Sequence, residues 1–397
     1  MKRRNFIAAA SAASAAAASG VAARAGAQIY PLHPIAAPQQ YLQQLTIAVN
    51  VTLSGPMQKY GEEVVKGVQA AVDEQNRFNA PVSHAWAMRP LDDRNDPGLA
   101  ASNANVAAAD FTVIGMIGNL TAPMTLAALS RYANVGFAVI VPTVTADAVT
   151  KRGYHNVYRL PARDSASGRL FASAALEQKR GVPVIAIAFD GDYGYDVGTG
   201  FVNQARNDRH PADLVLFPLA KTDPAQAART VLDRSPGYVF LAGKTSEMGP
   251  IADALRVGGY AGEFGAADGF YNSETISTYA RTLDGAYIAS PMPPIDRVPS
   301  AVQLVTDFER EVSQITTQSA FGYAAAQLLI AASQRGNATS RSSLLISLQS
   351  GGTFTTLVGQ FAFNISGDPL IPNIYLYTVG GDGFKFARPA VRTGFVY

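Results

Sequence analysis

The chain of 397 residues contains no cysteine, which removes disulfides, thiolate metal sites and cysteine nucleophiles together. Histidine is scarce. The four present, His33, His84, His155 and His210, are scattered with no pair at helical spacing, so the zinc-hydrolase pattern is absent, and no G-x-S-x-G turn supplies a serine-hydrolase elbow. Charge of one sign is also missing, with 32 Lys and Arg against 30 Asp and Glu. Without a basic footprint, a nucleic-acid partner is excluded. Beyond the N-terminus no run reaches the roughly 18 apolar, uncharged residues that a membrane span needs.

What is present points to a globular protein of more than one domain. Hydrophobic residues make up 48% of the chain, with 19 Phe and 17 Tyr, ample apolar surface to offset ordering entropy. At roughly 100 to 200 residues per domain, two or three compact units are expected. The first 27 residues read as an address: Lys2, Arg3 and Arg4 precede an Ala-rich stretch from Phe6 to Ala23, and Ala25-Gly26-Ala27 fits a cleavage site. Arg3-Arg4-Asn5-Phe6-Ile7 resembles the twin-arginine signal, whose substrates are exported folded. A membrane anchor is the competing reading, but this interior is poorly hydrophobic. Removing residues 1–27 deletes Lys2, Arg3, Arg4 and Arg24 and no acids, leaving 28 basic against 30 acidic residues. Residues 28–43, with three prolines and no clean period, read as a leader arm.

From Leu45 a rhythm of short apolar runs and helical periodicity begins. Strands are expected at 45–51, 86–93, 113–118 and 137–142, with helices around 64–72, 98–109 and 123–132 between them. A second series follows, with strands at 184–190, 214–219, 238–243 and near Phe264, alternating with helices at 165–179, 196–207, 224–234 and 246–258. Such alternation builds parallel sheets covered by helices, so two doubly wound sheets are implied. The last third reads as helices at 299–313, 319–334 and 341–349, then strands at 361–365 and 373–379. Helices arriving this late complete the first sheet if the lobes are discontinuous in sequence. Ligands in such folds bind at the carboxyl ends of strands and between domains.

Catalytic motifs are mostly to be set aside. Gly243-Lys244-Thr245 suggests a phosphate loop, but Gly237 lies before the strand and at the wrong spacing. Asp92 and Asp93 form a carboxylate pair, yet Arg94 and Asp96 beside them indicate a solvated turn rather than acid–base machinery. With no base and nucleophile pair, the protein is not expected to be an enzyme, and no cofactor or metal is implied.

Several segments carry a family resemblance: 53–76 (LSGPMQKYGEEVVKGVQAAVDEQN), 91–100 (LDDRNDPGLA), 113–145, 154–168 (YHNVYRLPARDSASG) and 189–198 (FDGDYGYDVG). In order and spacing, from about Leu45 to Phe386, they resemble the leucine/isoleucine/valine-type periplasmic binding proteins. The resemblance implies an α/β protein of two Rossmann-like lobes joined by three hinge crossings, the type I periplasmic binding protein fold. The lobes would comprise 44–161 with 291–357, and 162–290 with 358–397. They would close like a Venus flytrap over a small molecule and deliver it to the membrane permease of an ABC transporter. The mature protein is then expected in the periplasm as a soluble monomer.

Site residues follow from the same resemblance. Tyr60 matches a cleft tyrosine, against the alternative of an exposed turn aromatic. Asn119, Thr121 and Ala122 lie in the loop that presents a serine hydroxyl and backbone N–H groups to the ligand carboxylate, and its position at a helix start suits an anion. Thr143 and Thr145 match a segment supplying a main-chain carbonyl and a threonine hydroxyl, against a simple turn. Tyr193 matches the second-lobe aromatic that closes over the ligand. Asp268 falls where amino-acid binders set an acid against the ammonium group, against a helix cap. Departures are visible too: Ala122 replaces the usual serine, Lys244 stands where an aromatic is common, and Asn95 and Thr121 occupy the sites of a disulfide found in relatives. Lys244 is expected either to pair with Asp268 or to point unpaired into the cleft, and both outcomes count against plain leucine or valine. The expected ligand is an amino acid or related small carboxylate. The alternatives are an apolar or aromatic solute that is not an amino acid, and a regulatory, partner-binding protein that has lost transport.

Overall fold

Two parallel sheets form because most of their strands are apolar on both faces, as sheets covered by helices on each side require. A computed structural model describes residues 43–78, 84–191, 193–219, 221–295 and 315–391. The expected signal sequence, nearly all of the leader arm and the helix expected at 299–313 lie outside these residues. In the first sheet β1 (Gln43–Val51), β2 (His84–Asp92), β3 (Val113–Gly118), β4 (Ala138–Val141) and β5 (Val157–Arg159) run parallel in the order β2-β1-β3-β4-β5. From Leu45 onward β1 is buried at every residue. Its layers contain α1 (Gln58–Phe78), α2 (Pro97–Ala108), α3 (Ala122–Asn134) and the short α4 (Ala148–Lys151).

The second sheet is built from β6 (Val184–Phe189), β7 (Ala212–Phe217), β8 (Tyr238–Leu241), β9 (Glu263–Ala266) and β10 (Tyr287–Ser290), with α5 (Asp164–Ala175), α6 (Tyr193–Asn207), α7 (Pro224–Leu232), α8 (Thr245–Val257) and α9 (Ser273–Tyr279). Then α10 (Thr317–Gly336) and α11 (Arg341–Gln349) return to the first core, where Tyr323, Leu328 and Leu344 pack with Ile47 and Ile117. A hairpin of β11 (Phe354–Thr356) and β12 (Gly359–Phe361) precedes β13 (Tyr375–Gly380) and β14 (Gly383–Pro389), which add antiparallel strands to the second sheet beyond β10. The chain thus passes between the two cores after β5, after β10 and after β12.

Two expectations need correction here. Val358 and Phe361 are buried in the first core, so the last boundary lies beyond residue 361 rather than at 358. The strand expected at 361–365 also ends early: the Asn364 side-chain oxygen accepts from the N–H groups of Ser366 and Asp368, turning the chain, and leaves Ile365 86% exposed.

Each core is fastened by a helix pair whose backbones touch. A methyl group on Gly67 of α1 would lie 1.9 Å from the Ser319 carbonyl oxygen of α10, and one on Gly322 would lie 2.3 Å from that of Val64. In the second core Gly168 of α5 meets Val197 of α6 at 1.9 Å in the same sense, and Gly200 meets Ser165 at 2.1 Å.

The passage after β5 is anchored by a buried cation, with the half-exposed Arg163 3.8 Å from the same acid, Asp368. Arg159 is fully buried; its Nε donates to Asp368 Oδ1 at 2.7 Å, Nη1 donates to the carbonyls of Thr145 and Ala146 at 2.8 Å each, and Nη2 bonds the Thr150 hydroxyl. Thr150 in turn donates to Asp368 at 2.8 Å. Breaking a buried ion pair from one side strands the other charge. Arg159→Leu should therefore lower unfolding free energy by about 3–5 kcal/mol, measured by urea titration; a loss below about 1 kcal/mol would show that the node is dispensable.

Candidate functional site

β4 is an uninterrupted apolar strand, and Pro142 ends it, so the chain leaves the sheet at its carboxyl end with Thr143 and Thr145 unburied by the core. These residues line a hollow of about 150 Å³ with Asp268, Tyr271, Thr317 and Phe321, and with three prolines at its edges. Both lobes contribute: the threonines follow β4, Asp268 follows β9, and Thr317 opens α10. Tyr271 is held by ring contacts to Tyr377 and Phe384, with centroids 4.7 and 4.6 Å away. At about 30 Å³ per water, the hollow equals roughly five waters and suits a small solute.

Its electrostatics are acidic. Tyr193, at the start of α6, donates its hydroxyl to Asp268 Oδ1 at 2.5 Å and accepts from the Gly269 N–H at 3.2 Å. Burial pushes the Asp268 carboxyl above the ordinary aspartate range, against the opposing effect of the Tyr193 hydroxyl. Burial and the neighbouring acid raise the Tyr193 phenol well above its usual value, so it remains a donor. Asp164 at the start of α5 is 3% exposed, and its carboxyl is raised well above the ordinary range, first by burial and then by Asp268, Asp147 and Asp196. The Thr145 hydroxyl bonds that carboxylate. No group of three or more His, Asp or Glu among the described residues is placed to hold a metal ion.

Of the residues expected in the site, Thr143, Thr145 and Asp268 meet in the hollow and Tyr193 is bonded to it. The Thr145 carbonyl already accepts from Arg159 and from the Asp164 N–H at 2.9 Å, which leaves its hydroxyl as the part coupled to Asp164. Thr143 donates to the Leu120 carbonyl at 3.3 Å, placing the start of α3 beside the hollow. There Thr121 is the N-cap residue, and its hydroxyl oxygen is buried without a partner among the described residues. Ala122 opens the helix and brings no polar side-chain atom. Tyr60 lies 46% exposed in the first turn of α1 and does not line the hollow.

Three expectations are overturned. Asn119 is fully buried and turns inward: its amide nitrogen donates to Asp93 at 3.1 Å and its oxygen accepts from Tyr132 at 2.9 Å, so its side chain is spent on the core. Asp93 is likewise buried rather than solvated, accepting from Thr52 at 2.6 Å and the Asn95 N–H at 3.0 Å. Lys244 is the N-cap residue of α8, and its ammonium pairs with Glu247 at 2.9 Å, which is three residues on along the same helix. It neither neutralises Asp268 nor stands unpaired in the cleft.

Sequence reasoning passed over Asp164, Tyr271, Thr317 and Phe321. Asp164 had a signal, a lone acid opening a helix directly after the Leu160–Arg163 passage. The other three carry none that separates them from core or turn positions.

A family model described as "Periplasmic binding protein" matches residues 44–384. Among curated proteins the chain is similar to Leu/Ile/Val-binding protein homolog 1 of Brucella suis, 23% identical over 342 residues that span 85% of this chain and 91% of the relative. It is also similar to the Leu/Ile/Val-binding protein of Escherichia coli, 24% identical over 266 residues, 66% of this chain and 71% of the relative. Among solved structures, a leucine binding protein from Thermotoga maritima superposes with a TM-score of 0.73 at 21% identity, covering 87% of this chain and 98% of that one. A solute binding protein from R. palustris, in complex with benzoate, gives 0.70 at 17% identity, covering 88% and 96%. At these identities the structural likeness speaks for the fold.

The two raised carboxyls carry a pH signature. Between the ordinary aspartate range and their raised values, Asp164 and Asp268 hold protons in the folded state that the unfolded chain has released, so stability should rise as pH falls from neutrality toward the ordinary aspartate range. Asp164→Asn, which keeps an acceptor for Thr145, should melt higher than wild type at neutral pH and gain less on acidification. Parallel melting curves across that range would remove Asp164 from the electrostatics of the site.

Proposed function

Since the chain belongs to the type I periplasmic binding protein family, the extracytoplasmic solute-binding components of ABC transporters, we propose that its interlobe hollow captures an amino acid or a closely related small carboxylate for a membrane permease. The observation that carries this reading is the pairing of Asp268 and Tyr193, with Asp164 behind them and no cation among the residues lining the hollow. An uncompensated buried acid is costly, and a ligand ammonium group repays that cost directly. The start of α3, with the partnerless Thr121 hydroxyl, offers the complementary end for a carboxylate. Tyr271, Phe321 and the prolines supply apolar walls for a side chain.

With Lys244 paired to Glu247, the objection to plain aliphatic amino acids loses its physical basis. The names of the relatives, Leu/Ile/Val-binding and leucine binding proteins, support the same class of ligand. Capture works by closure: a solute that touches Thr143 and Thr145 on one lobe and Asp268 on the other binds the closed state better than the open one and shifts the population toward it.

Calorimetry with leucine, valine, glutamate and benzoate tests the reading. Leucine or valine should bind, and Asp268→Asn should weaken that binding by about 1.5–3 kcal/mol, the range for a charge-assisted hydrogen bond. Lys244→Ala should leave affinity within about twofold, since its partner lies along its own helix. Benzoate binding that exceeds leucine binding and ignores Asp268→Asn would transfer the assignment to an aromatic solute. Solution scattering should show compaction on saturation with the bound amino acid; an unchanged curve would reject closure.

A further inference from the structure

A second hollow, of about 550 Å³, lies on the first lobe between the end of α11, β11, β5 and the turn after β12. Its volume falls within the roughly 300–1,000 Å³ of small-molecule sites. Four side chains form its apolar walls, Tyr158, Leu348, Phe354 and Phe363. Tyr158 and Phe363 meet edge to face, with centroids 5.1 Å apart, and Phe354 is backed by the Arg335 guanidinium at 4.1 Å. The same guanidinium donates to the carbonyls of Gly351 and Thr353 at 3.1 and 2.5 Å, holding the rim in place.

The polar groups of the hollow are few. Tyr158 is 5% exposed, yet its hydroxyl is not among the fully buried side-chain atoms that lack a partner, so the group is open to the hollow rather than sealed in the core. Burial alone raises that phenol to about 12, so the group is a donor at every physiological pH. A phenol that opens into an apolar hollow can donate to water or to an acceptor on an occupant. His155 is already engaged through Ile365, whose carbonyl lies 3.3 Å from Nδ1, and Gln349 donates to the His155 carbonyl at 3.2 Å. No Asp, Glu, Lys or Arg lines the walls, so a charged ligand would be buried without a counter-charge.

We propose that this hollow is a second solute site, separate from the interlobe one, and that it takes an uncharged aromatic molecule carrying a hydrogen-bond acceptor for the Tyr158 hydroxyl. The aromatic walls match a flat ring, whose preferred contacts are edge-to-face and offset. An occupant would touch β5 just before the first passage between lobes and Phe363 just after β12.

The test uses prodan, an uncharged aminonaphthyl ketone whose emission shifts on leaving water, with the full chain. A saturable blue shift is expected in wild type. Tyr158→Phe, which keeps the ring and removes the donor, should weaken it roughly five- to tenfold, the value of one hydrogen bond. Gln349→Trp, at an exposed rim position, should fill the hollow and abolish the shift without lowering the melting temperature; Ile365→Trp serves if that variant does not fold. Asp268→Asn should leave the shift unchanged, which separates this site from the interlobe one. Absence of a saturable shift in wild type, its survival in the filled variants, or its loss in Asp268→Asn would overturn the proposal, leaving the hollow to water or the dye to the other cleft.

Discussion

A single buried guanidinium organises the region on which the binding hollow depends. Arg159 takes its acceptors from the loop after β4, from the adjoining α4 and from the turn after β12, and so joins two stretches of chain more than 200 residues apart. Its planar fork suits this task, because several donors are fixed in one rigid plane. The Thr145 carbonyl is one of its acceptors, and Asp164 bonds the same carbonyl through its N–H. The position of a residue in the hollow is therefore set by a cation that never enters it.

The hollow itself follows a different rule. Its lining acid is met by no cation of the protein: Asp268 is held by the Tyr193 phenol. Neutral donors orient a carboxylate without pairing it with a cation, as the proposed ammonium ligand requires. Had Lys244 reached Asp268, the protein itself would have supplied that cation. Glu247, placed one helical turn away, keeps the ammonium group occupied elsewhere.

How much of this was legible in the sequence varies with the range of the deciding force. Strands such as β3 and β6 declare themselves, since a run of six apolar residues buried on both faces has few alternatives. Short strands such as β5 and β10 do not, because three or four residues carry little periodicity and are fixed by their neighbours in the sheet. In the site, Asp268, Tyr193, Thr143 and Thr145 were marked by the family resemblance rather than by periodicity or spacing. Asn119 was not separable from them, because its inward turn depends on Asp93 and Tyr132, which lie 26 and 13 residues away. Lys244 failed for the opposite reason: its partner was nearby in sequence, but the choice between Glu247 and a more distant acid is made by side-chain geometry. Asp164 shows a third case, an acid whose neighbours Thr145 and Asp268 lie 19 and 104 residues away and are brought together only by the fold.

The glycine contacts of α1 with α10 and of α5 with α6 have a mechanical consequence. Where two helices touch backbone to backbone, there is no layer of side chains to absorb shear, so each pair behaves as a welded beam rather than a sliding bearing. Compliance must then concentrate in the three connecting strips, much as a pair of rigid plates bends only along its scored lines. Such a frame transmits the position of a small solute at one edge of a lobe to its far surface with little attenuation. If the lobes close on a solute as proposed, such a frame would present the outside with two positions, open or shut, rather than a graded series.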